Sequence, residues 1–466
     1  MQNSYLASIN KIKAGKSSAL VAAFCALISI FSSLFSISVI AKPWITPDDI
    51  FLRSDIQLLS DIGVIKSPVT TWPLNWSGIK RDLFNARTRK LSNYESQARQ
   101  RVLRRCKFET RKGSRKSYAL SSSAGVKLTS SFGDSNREGI QLIGNTDWLG
   151  KRFALNLQAA TVADPGDGKH LRYDGSYAAV VLDNWILSAG FEERWWGPGW
   201  SDSLLIGQNA RPLPAVSIRR NYPLEFEHKL LSWIGPWHFD GFIAQLESER
   251  TVENALMIGG RFSFKPAAQL EVSLSRMSMF GGKDNSSDAS AFFSAIRGDD
   301  EVDGESDAIL SLSGIDLRYA VTPALALYSQ LVFANGSKGD GNMGMIGADF
   351  SFVSIKPGFR GYFEIVDTDV GGNGINNYMN DKYTTGFYYK GRSVGGALFG
   401  SSVAVGVLWP FKANSSVNVT LQFAELRHDA AVQLKESVDV GMLSIGHAIY
   451  IFKGQLKTGL QIYSKE

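Results

Sequence analysis

Leu256–Ser275 reads LMIGGRFSFKPAAQLEVSLS, and its rhythm sets the fold class. Leu256, Ile258, Gly260, Phe262 and Phe264 alternate with Gly259, Arg261, Ser263 and Lys265; after Pro266, Leu270, Val272 and Leu274 alternate with Gln269, Glu271, Ser273 and Ser275. A period of two is the signature of a strand with one apolar and one polar face. Two such runs joined by a few residues read as a hairpin.

The same grammar extends from about Tyr118 to the end of the chain. It recurs at Phe153, Leu155 and Leu157 (with Asn156 and Gln158 between), at Ile315, Leu317, Tyr319 and Val321, and at Phe359, Phe363 and Ile365. It returns at Val417, Val419, Leu421 and Phe423, and at Leu456, Leu460 and Ile462. A water-soluble sandwich also alternates, so the polar face decides between the two. Arg261 with Lys265, Asp316 with Arg318, and Arg360 with Glu364 place full charges on it. Aromatic residues at strand ends, Tyr383, Phe387, Tyr388 and Tyr389 or Trp233 and Trp237, read as girdles. Apolar outside, charged inside and aromatic at the rims is what a closed, lipid-embedded β-barrel requires, because every backbone group must pair within the sheet. About 350 residues at roughly 20 per strand and connection give about 16 to 18 strands. Polar inserts expected on the extracellular side are Gly281–Ser290, Gly298–Asp307, Asn335–Gly344 and Asp367–Asp381.

The chain has 466 residues and a net charge of +6. Its start, with Lys11, Lys13 and Lys16 before an apolar run from Ala19 to Ile40 and a small Ala41, has the pattern of a secretory signal peptide over 1–41. The apolar run is also long enough for an uncleaved anchor; with cleavage near Ala41, Cys25 is expected to leave with the segment and only Cys106 to remain, which excludes an intramolecular disulfide and a thiolate zinc site. Residues 42–116 read as a small periplasmic bundle of two or three helices with a basic linker. Asp48 and Asp49 are cap candidates, Gly63 ends the first helix, and SPVTTWPLNWSGI separates it from a second helical stretch through Leu83, Leu91 and Val102. Arg99 to Lys116 is strongly basic, either a solvated helix face or a contact for anionic lipid headgroups. In an exported chain nucleic acid is not an expected partner. The barrel is expected over 117–466.

Glu192–Arg220, EERWWGPGWSDSLLIGQNARPLPAVSIRR, interrupts the pattern. It follows a strand in which Trp185, Leu187, Ala189 and Phe191 face one way and Ile186, Ser188, Gly190 and Glu192 the other. Gly197, Pro198 and Gly199 hold Trp195, Trp196 and Trp200 close together. Two readings stand. Flat aromatic faces and the forks of Arg211, Arg219 and Arg220 suit a sugar ring and its acidic substituents; alternatively the segment plugs the lumen, with Glu192, Glu193 and Arg194 paired to the arginines.

Catalytic and metal patterns are weak. Asp299–Asp307 is acidic but lacks the glutamate that closes an EF-hand loop. His170, His228, His238, His428 and His447 are scattered, with no HExxH motif and no GxSxG elbow. His228 beside Glu225 and Glu227 is the one candidate base. Glu192 and Glu193, adjacent on a strand, point to opposite faces and cannot flank one glycosidic bond. Neither an enzyme nor a cofactor is indicated.

EERWWGPGW with the following NARPLPAVSIRR, the upstream DIQLLSDIGVI and TTWPL, and the late YTTGFYYKGRSVGGALFG of Tyr383–Gly400 resemble the Wzi capsule-assembly family over nearly the whole mature chain. The resemblance implies an all-β outer-membrane barrel of about 18 strands with an N-terminal periplasmic helical bundle. It also implies a non-catalytic lectin that anchors or organises capsular polysaccharide or exopolysaccharide at the cell surface. Trp195, Trp196, Trp200, Asn209, Arg211 and Arg219 are the motif positions to which a glycan-binding or lumen role carries over. Expected partners are the polysaccharide, outer-membrane lipid and lipopolysaccharide, with the chain a monomer. A diffusion porin for anionic solutes is the alternative. The last strand departs from an aromatic ending, since Ser464, Lys465 and Glu466 follow Tyr463.

Overall fold

The computed structural model describes residues 42–465, apart from 124–126, 135–136, 164, 166, 299–307, 336–340, 354–357, 371–375, 413, 428–435 and 452–453. The expected signal segment, the acidic run Asp299–Asp307 and His428 lie outside the described residues.

Eighteen strands close into one barrel, from Gly113–Ser122 to Gly454–Lys465, with the last beside the first. Sequence neighbours pair antiparallel almost throughout; Leu171–Arg172 and Tyr177–Leu182 share one partner, Phe153–Ala163. In the deciding hairpin Leu256–Ala267 pairs with Leu270–Phe280, setting Phe262 opposite Leu274 and Arg261 opposite Ser275. Like thus faces like across the ladder, and a register slip of one residue would turn every charge outward.

The two faces differ as the alternation requires. Phe153 and Leu157 are 58% and 57% exposed on the outside, whereas Arg261 and Glu364 are fully enclosed. No described helix is long and apolar enough to cross a membrane; the strands carry the apolar surface instead. A continuous outer apolar surface with charges gathered inside makes this a transmembrane β-barrel.

The helical part has three helices, α1 (Ile50–Asp61), α2 (Trp76–Asn85) and α3 (Asn93–Glu109). Asp49 caps α1 by accepting from Phe51 N and Leu52 N, and a Ser92/Glu95 capping box starts α3. The expected second helical stretch is therefore broken at 86–92. The TTWPL element also orders as strand, with Leu74–Asn75 pairing to Trp44–Ile45. The first wall strand begins at Gly113, so the last residues of the basic linker belong to the wall.

The bundle sits at the barrel end that carries the short turns 183–184, 268–269 and 323–324. Wall side chains near those turns reach into it. Glu271 accepts from Val69 N (3.0 Å), Thr70 N (2.8 Å) and Thr70 Oγ1 (2.6 Å), Lys265 Nζ donates to Ser60 Oγ (2.8 Å), and Arg318 pairs with Asp61 (2.5 Å).

Two expectations are corrected at the opposite end. Tyr383, Phe387 and Tyr388 form no girdle: they are buried in the core cluster, because the described residues 376–399 fold inward rather than along the rim. The polar inserts were drawn too wide, since Gly341–Gly344 and Asp367–Val370 belong to wall strands, and helix α4 (Ala289–Arg297) separates the first two inserts.

Candidate functional site: the tryptophan turn in the lumen and the rim above it

The strand Trp185–Phe191 delivers the chain to the long-connection end, and 192–213 then turns back into the barrel. Trp195 and Trp196 pair with Trp72 and Thr71, so the turn meets the bundle inside the lumen. Gly197 N donates to Thr70 O (3.2 Å). Gly199 is required by space: a Cβ there would lie 2.4 Å from Asp202 O and 2.6 Å from Met345 Sδ.

All three tryptophans have 0% exposure. Trp200 stacks on Tyr362 (6.0 Å, 15°), Trp196 meets Phe242 edge-on (5.5 Å), and Trp195 meets Phe132 edge-on (5.4 Å). Arg53 of α1 lies 4.4 Å from the Phe132 ring centre and 4.3 Å from that of Trp200, and donates to Pro198 O at 2.6 Å. Its Nε and Nη1 have no hydrogen-bond partner and face these rings. Burial draws the Arg53 guanidinium down to about 10, opposed by the carboxylate of Glu364.

Inward side chains of three wall strands, Leu325–Asn335, Gly341–Phe352 and Phe359–Val370, hold the turn. Glu364 accepts from Trp200 N, Ser201 N (2.8 Å), Ser201 Oγ and Tyr328 Oη (2.7 Å). Gln330 bridges it, donating to Trp196 O (2.9 Å) and accepting from Leu204 N (2.8 Å). Asp349 ties Arg318 (2.8 Å) and Arg360 beneath Trp200 Nε1 (3.4 Å). Asp202 accepts from Ser203 N (2.7 Å) and Ala397 N (3.1 Å), joining the turn to the segment that follows Gly395 and Gly396, and burial with the nearby Glu364 charge pushes its carboxyl up to about 7.

The arginines go to different places. Arg219 is buried and paired with Glu192, which also accepts from Ser188 Oγ (2.5 Å). Burial works against the Glu192 charge, but Arg219 and Arg194 together hold its carboxyl below the usual range. Glu193 pairs with none of the expected arginines; its fork partner is Arg137 (2.7 and 2.8 Å), from the connection after the first wall strand. Asn209 is buried, its main-chain oxygen accepting from Arg392 (3.3 Å). Arg211 alone among the six motif residues is partly open, forked onto Asp174 (2.9 and 2.6 Å) with Asp167 at 3.4 Å.

Around Arg211 three connections meet at the rim. Lys169 Nζ pairs with Glu249 (3.1 Å), whose carboxylate also accepts from Tyr389 Oη (3.1 Å). Thr384 bonds Thr251 (3.2 Å). Tyr389 stands at the end of a hairpin, Tyr388–Tyr389 against Arg392–Ser393, that Lys390 (φ 52°) and Gly391 (φ 78°) turn. Sequence reading missed Arg53, Gln330, Asp349 and this rim triad. Gln330 and Asp349 carry the same signal as Glu364, a polar residue at an inward position of an alternating run; Arg53 carries none.

The described histidines form no constellation. His170 Nδ1 lies 3.0 Å from Val162 O, His447 Nε2 lies 2.8 Å from Ser415 Oγ, and the ring of exposed His228 accepts from Leu230 N (3.3 Å). Among the described residues no group of three or more His, Cys, Asp or Glu is placed to hold a metal ion.

Fold and site together define a transmembrane β-barrel whose lumen is occupied by its own aromatic turn and abutted by a helical bundle. Residues 109–462 match the family model described as capsule assembly protein Wzi, and the chain belongs to that family. A solved structure of Wzi from Escherichia coli, described as a carbohydrate-binding β-barrel of the outer membrane involved in group 1 capsule assembly, superposes with a TM-score of 0.79 at 24% identity, covering 91% of this chain and 96% of that one. This likeness establishes the fold. A Klebsiella pneumoniae protein described as an uncharacterized 55.8 kDa protein in the cps region is 29% identical over 291 residues, 60% of this chain. The match spans 56% of that relative.

Proposed function

We propose that this protein is an outer-membrane lectin that binds capsular polysaccharide or exopolysaccharide and anchors or organises it at the cell surface, without catalysing a reaction. One observation carries the reading: the motif tryptophans fill the lumen with no exposed face, so a polymer has the rim at the long-connection end to meet, not a channel. The family and the description of its solved relative support the same ligand class. The bundle then lies in the periplasm, at the short-turn end, and the protein acts as a monomer among outer-membrane lipid and lipopolysaccharide.

At the rim, Lys169, Glu249, Tyr389 and Arg211 combine a flat ring, hydroxyl-bonding carboxylate and cations, which suits sugars with acidic substituents. Single contacts of this kind are weak, and retention comes from one long polymer meeting many copies. The buried residues Trp195, Trp196, Trp200, Asn209 and Arg219 act by shaping the surface that carries the rim.

The test is retention of the detergent-purified mature protein on the producing organism's own surface polysaccharide, with neutral dextran as control, across a salt series. Selective retention that weakens with salt is expected, as is several-fold loss in Lys169→Glu combined with Tyr389→Ala. Absence of retention together with conductance in a planar bilayer would instead establish a diffusion porin for anionic solutes.

A further inference from the structure

The connection 221–236 joins the wall strands Pro214–Arg220 and Trp237–Gln245 at the short-turn end. It is ordered from both sides. Toward the bundle, Ser77 Oγ donates to Asn221 O (2.7 Å), Asn75 Nδ2 donates to Arg220 O (2.7 Å), and Arg81 Nη2 donates to Pro223 O (3.4 Å). Toward the wall, Phe226 stacks on Trp237 (4.6 Å, 13°), and Trp233 meets Phe264 edge-on (6.2 Å). Phe264 belongs to the outward row of the deciding hairpin, next to Phe262 (5.6 Å).

This segment nonetheless presents apolar side chains outward. Leu230 is 77% exposed and Trp233 62% exposed, with Leu231 exposed between them. Its charges, Glu225, Glu227 and Lys229, precede that edge, so the polar and apolar parts are separated along the chain. Water is a poor home for adjacent leucines followed by a tryptophan. Through Trp233 and Phe264 the edge runs into the barrel's outer apolar surface, and tryptophan prefers the level of the headgroups.

We infer that the strap 221–236 is a membrane foot: Leu230, Leu231 and Trp233 seat in the phospholipid leaflet at the short-turn end, and Asn221 transmits that anchorage to the helical bundle. The inference rests on the transmembrane reading of the barrel. Its consequence is a bundle held at a fixed height against the bilayer on one side of the barrel. Lipid is the occupant because the exposed edge is continuous with the surface that lipid already covers.

The experiment attaches a nitroxide to introduced cysteines in the full mature chain, reconstituted alone in phosphatidylcholine–phosphatidylglycerol vesicles. The spin label's collisions with apolar oxygen and with a water-soluble nickel chelate are then compared. Cys106 needs no removal, being buried with its thiol pushed up by burial to about 11, and unsubstituted protein measures any background. Gln97→Cys, exposed on α3, reports water, and Leu317→Cys, on the outer face of the wall, reports lipid. Trp233→Cys and Leu230→Cys are expected to favour oxygen several-fold more than Gln97→Cys, at a shallower depth than Leu317→Cys. A reading equal to Gln97→Cys overturns the foot. Protection from both reagents also overturns it, in favour of a protein contact. If Leu317→Cys itself reads as water, the transmembrane reading has failed rather than the foot.

Discussion

Two segments of this chain share a vocabulary and have opposite fates. Glu192–Trp200 and 221–236 both mix tryptophan, proline, glycine and charge, and they follow two paired wall strands, Trp185–Phe191 and Pro214–Arg220, at opposite ends of the barrel. The first is enclosed but for half-buried Glu193, with Trp195, Trp196 and Trp200 against Phe132, Phe242 and Tyr362; the second leaves Trp233 open. What separates them is the polar company within reach. The first meets Glu364, Gln330 and Asp349, inward residues of three strands that accept from Trp200 N, donate to Trp196 O and accept from Trp200 Nε1, so these polar groups are buried with partners. The second has polar partners at its start, where Ser77 meets Asn221, but at Trp233 it meets the outward row of the wall, where Phe264 offers a ring.

The largest loss is expected at Arg219. Arg219→Ala takes from Glu192 its ion-pair partner inside the lumen, leaving Arg194 and Ser188 near the charge, an expected loss of about 3–5 kcal/mol in denaturant unfolding of the detergent-folded barrel. Arg219→Met with Glu192→Gln is expected to recover much of it; no recovery would place the loss elsewhere than in the uncompensated charge. Trp200→Ala removes the ring stacked between Tyr362 and Arg53, with an expected loss of about 3 kcal/mol. It also opens space where the turn crosses the lumen, so planar-bilayer conductance should rise above that of the unsubstituted protein. A conductance unchanged in folded protein would mean that Trp200 does not help close the lumen.

Glu271→Gln weakens charge-assisted bonds to Val69 and Thr70, worth about 1.5–3 kcal/mol. Its expected effect is faster proteolysis within 42–109 while the wall persists, and uniform resistance would show that the bundle is held without Glu271. Asp202 gives a pH signature. Its carboxyl stands at about 7 in the folded chain against an ordinary value of 3.8, so between these values the folded chain keeps a proton that the unfolded chain has lost. Stability from this group is therefore full below pH 3.8, falls as pH rises to about 7, and is flat above, with a slope of at most about 1.4 kcal/mol per unit. Asp202→Asn should remove that part of the slope in unfolding titrations; an identical slope in the variant would assign it to other groups. The smallest effect is expected at Trp233→Ser, within about 0.5 kcal/mol, because the ring has little protein around it. A larger loss would mean that its contact with Phe264 carries more than a surface role.

Much of this was legible because a barrel strand states its faces residue by residue. Arg261, Lys265, Asp316, Arg318, Arg360 and Glu364 were all placed inside from the period alone, and all are buried. The aromatic residues Tyr383, Phe387 and Tyr388 were misplaced, since a connection that dives into the lumen has no period to distinguish it from one that lies along the rim. Glu193 with Arg137 and Arg53 with Trp200 were invisible for a related reason: each joins residues far apart in the chain, which no local pattern encodes.

The sequence by itself determined the strands, their two faces and the family, because side-chain alternation and motif residues are local properties. Only the tertiary structure decided which tryptophans are enclosed and which are presented outward, and that Arg211 among the motif residues remains at the surface. The physical reason is that burial of an aromatic, charged turn depends on acceptors supplied by strands more than a hundred residues away, which come within reach only when the barrel closes.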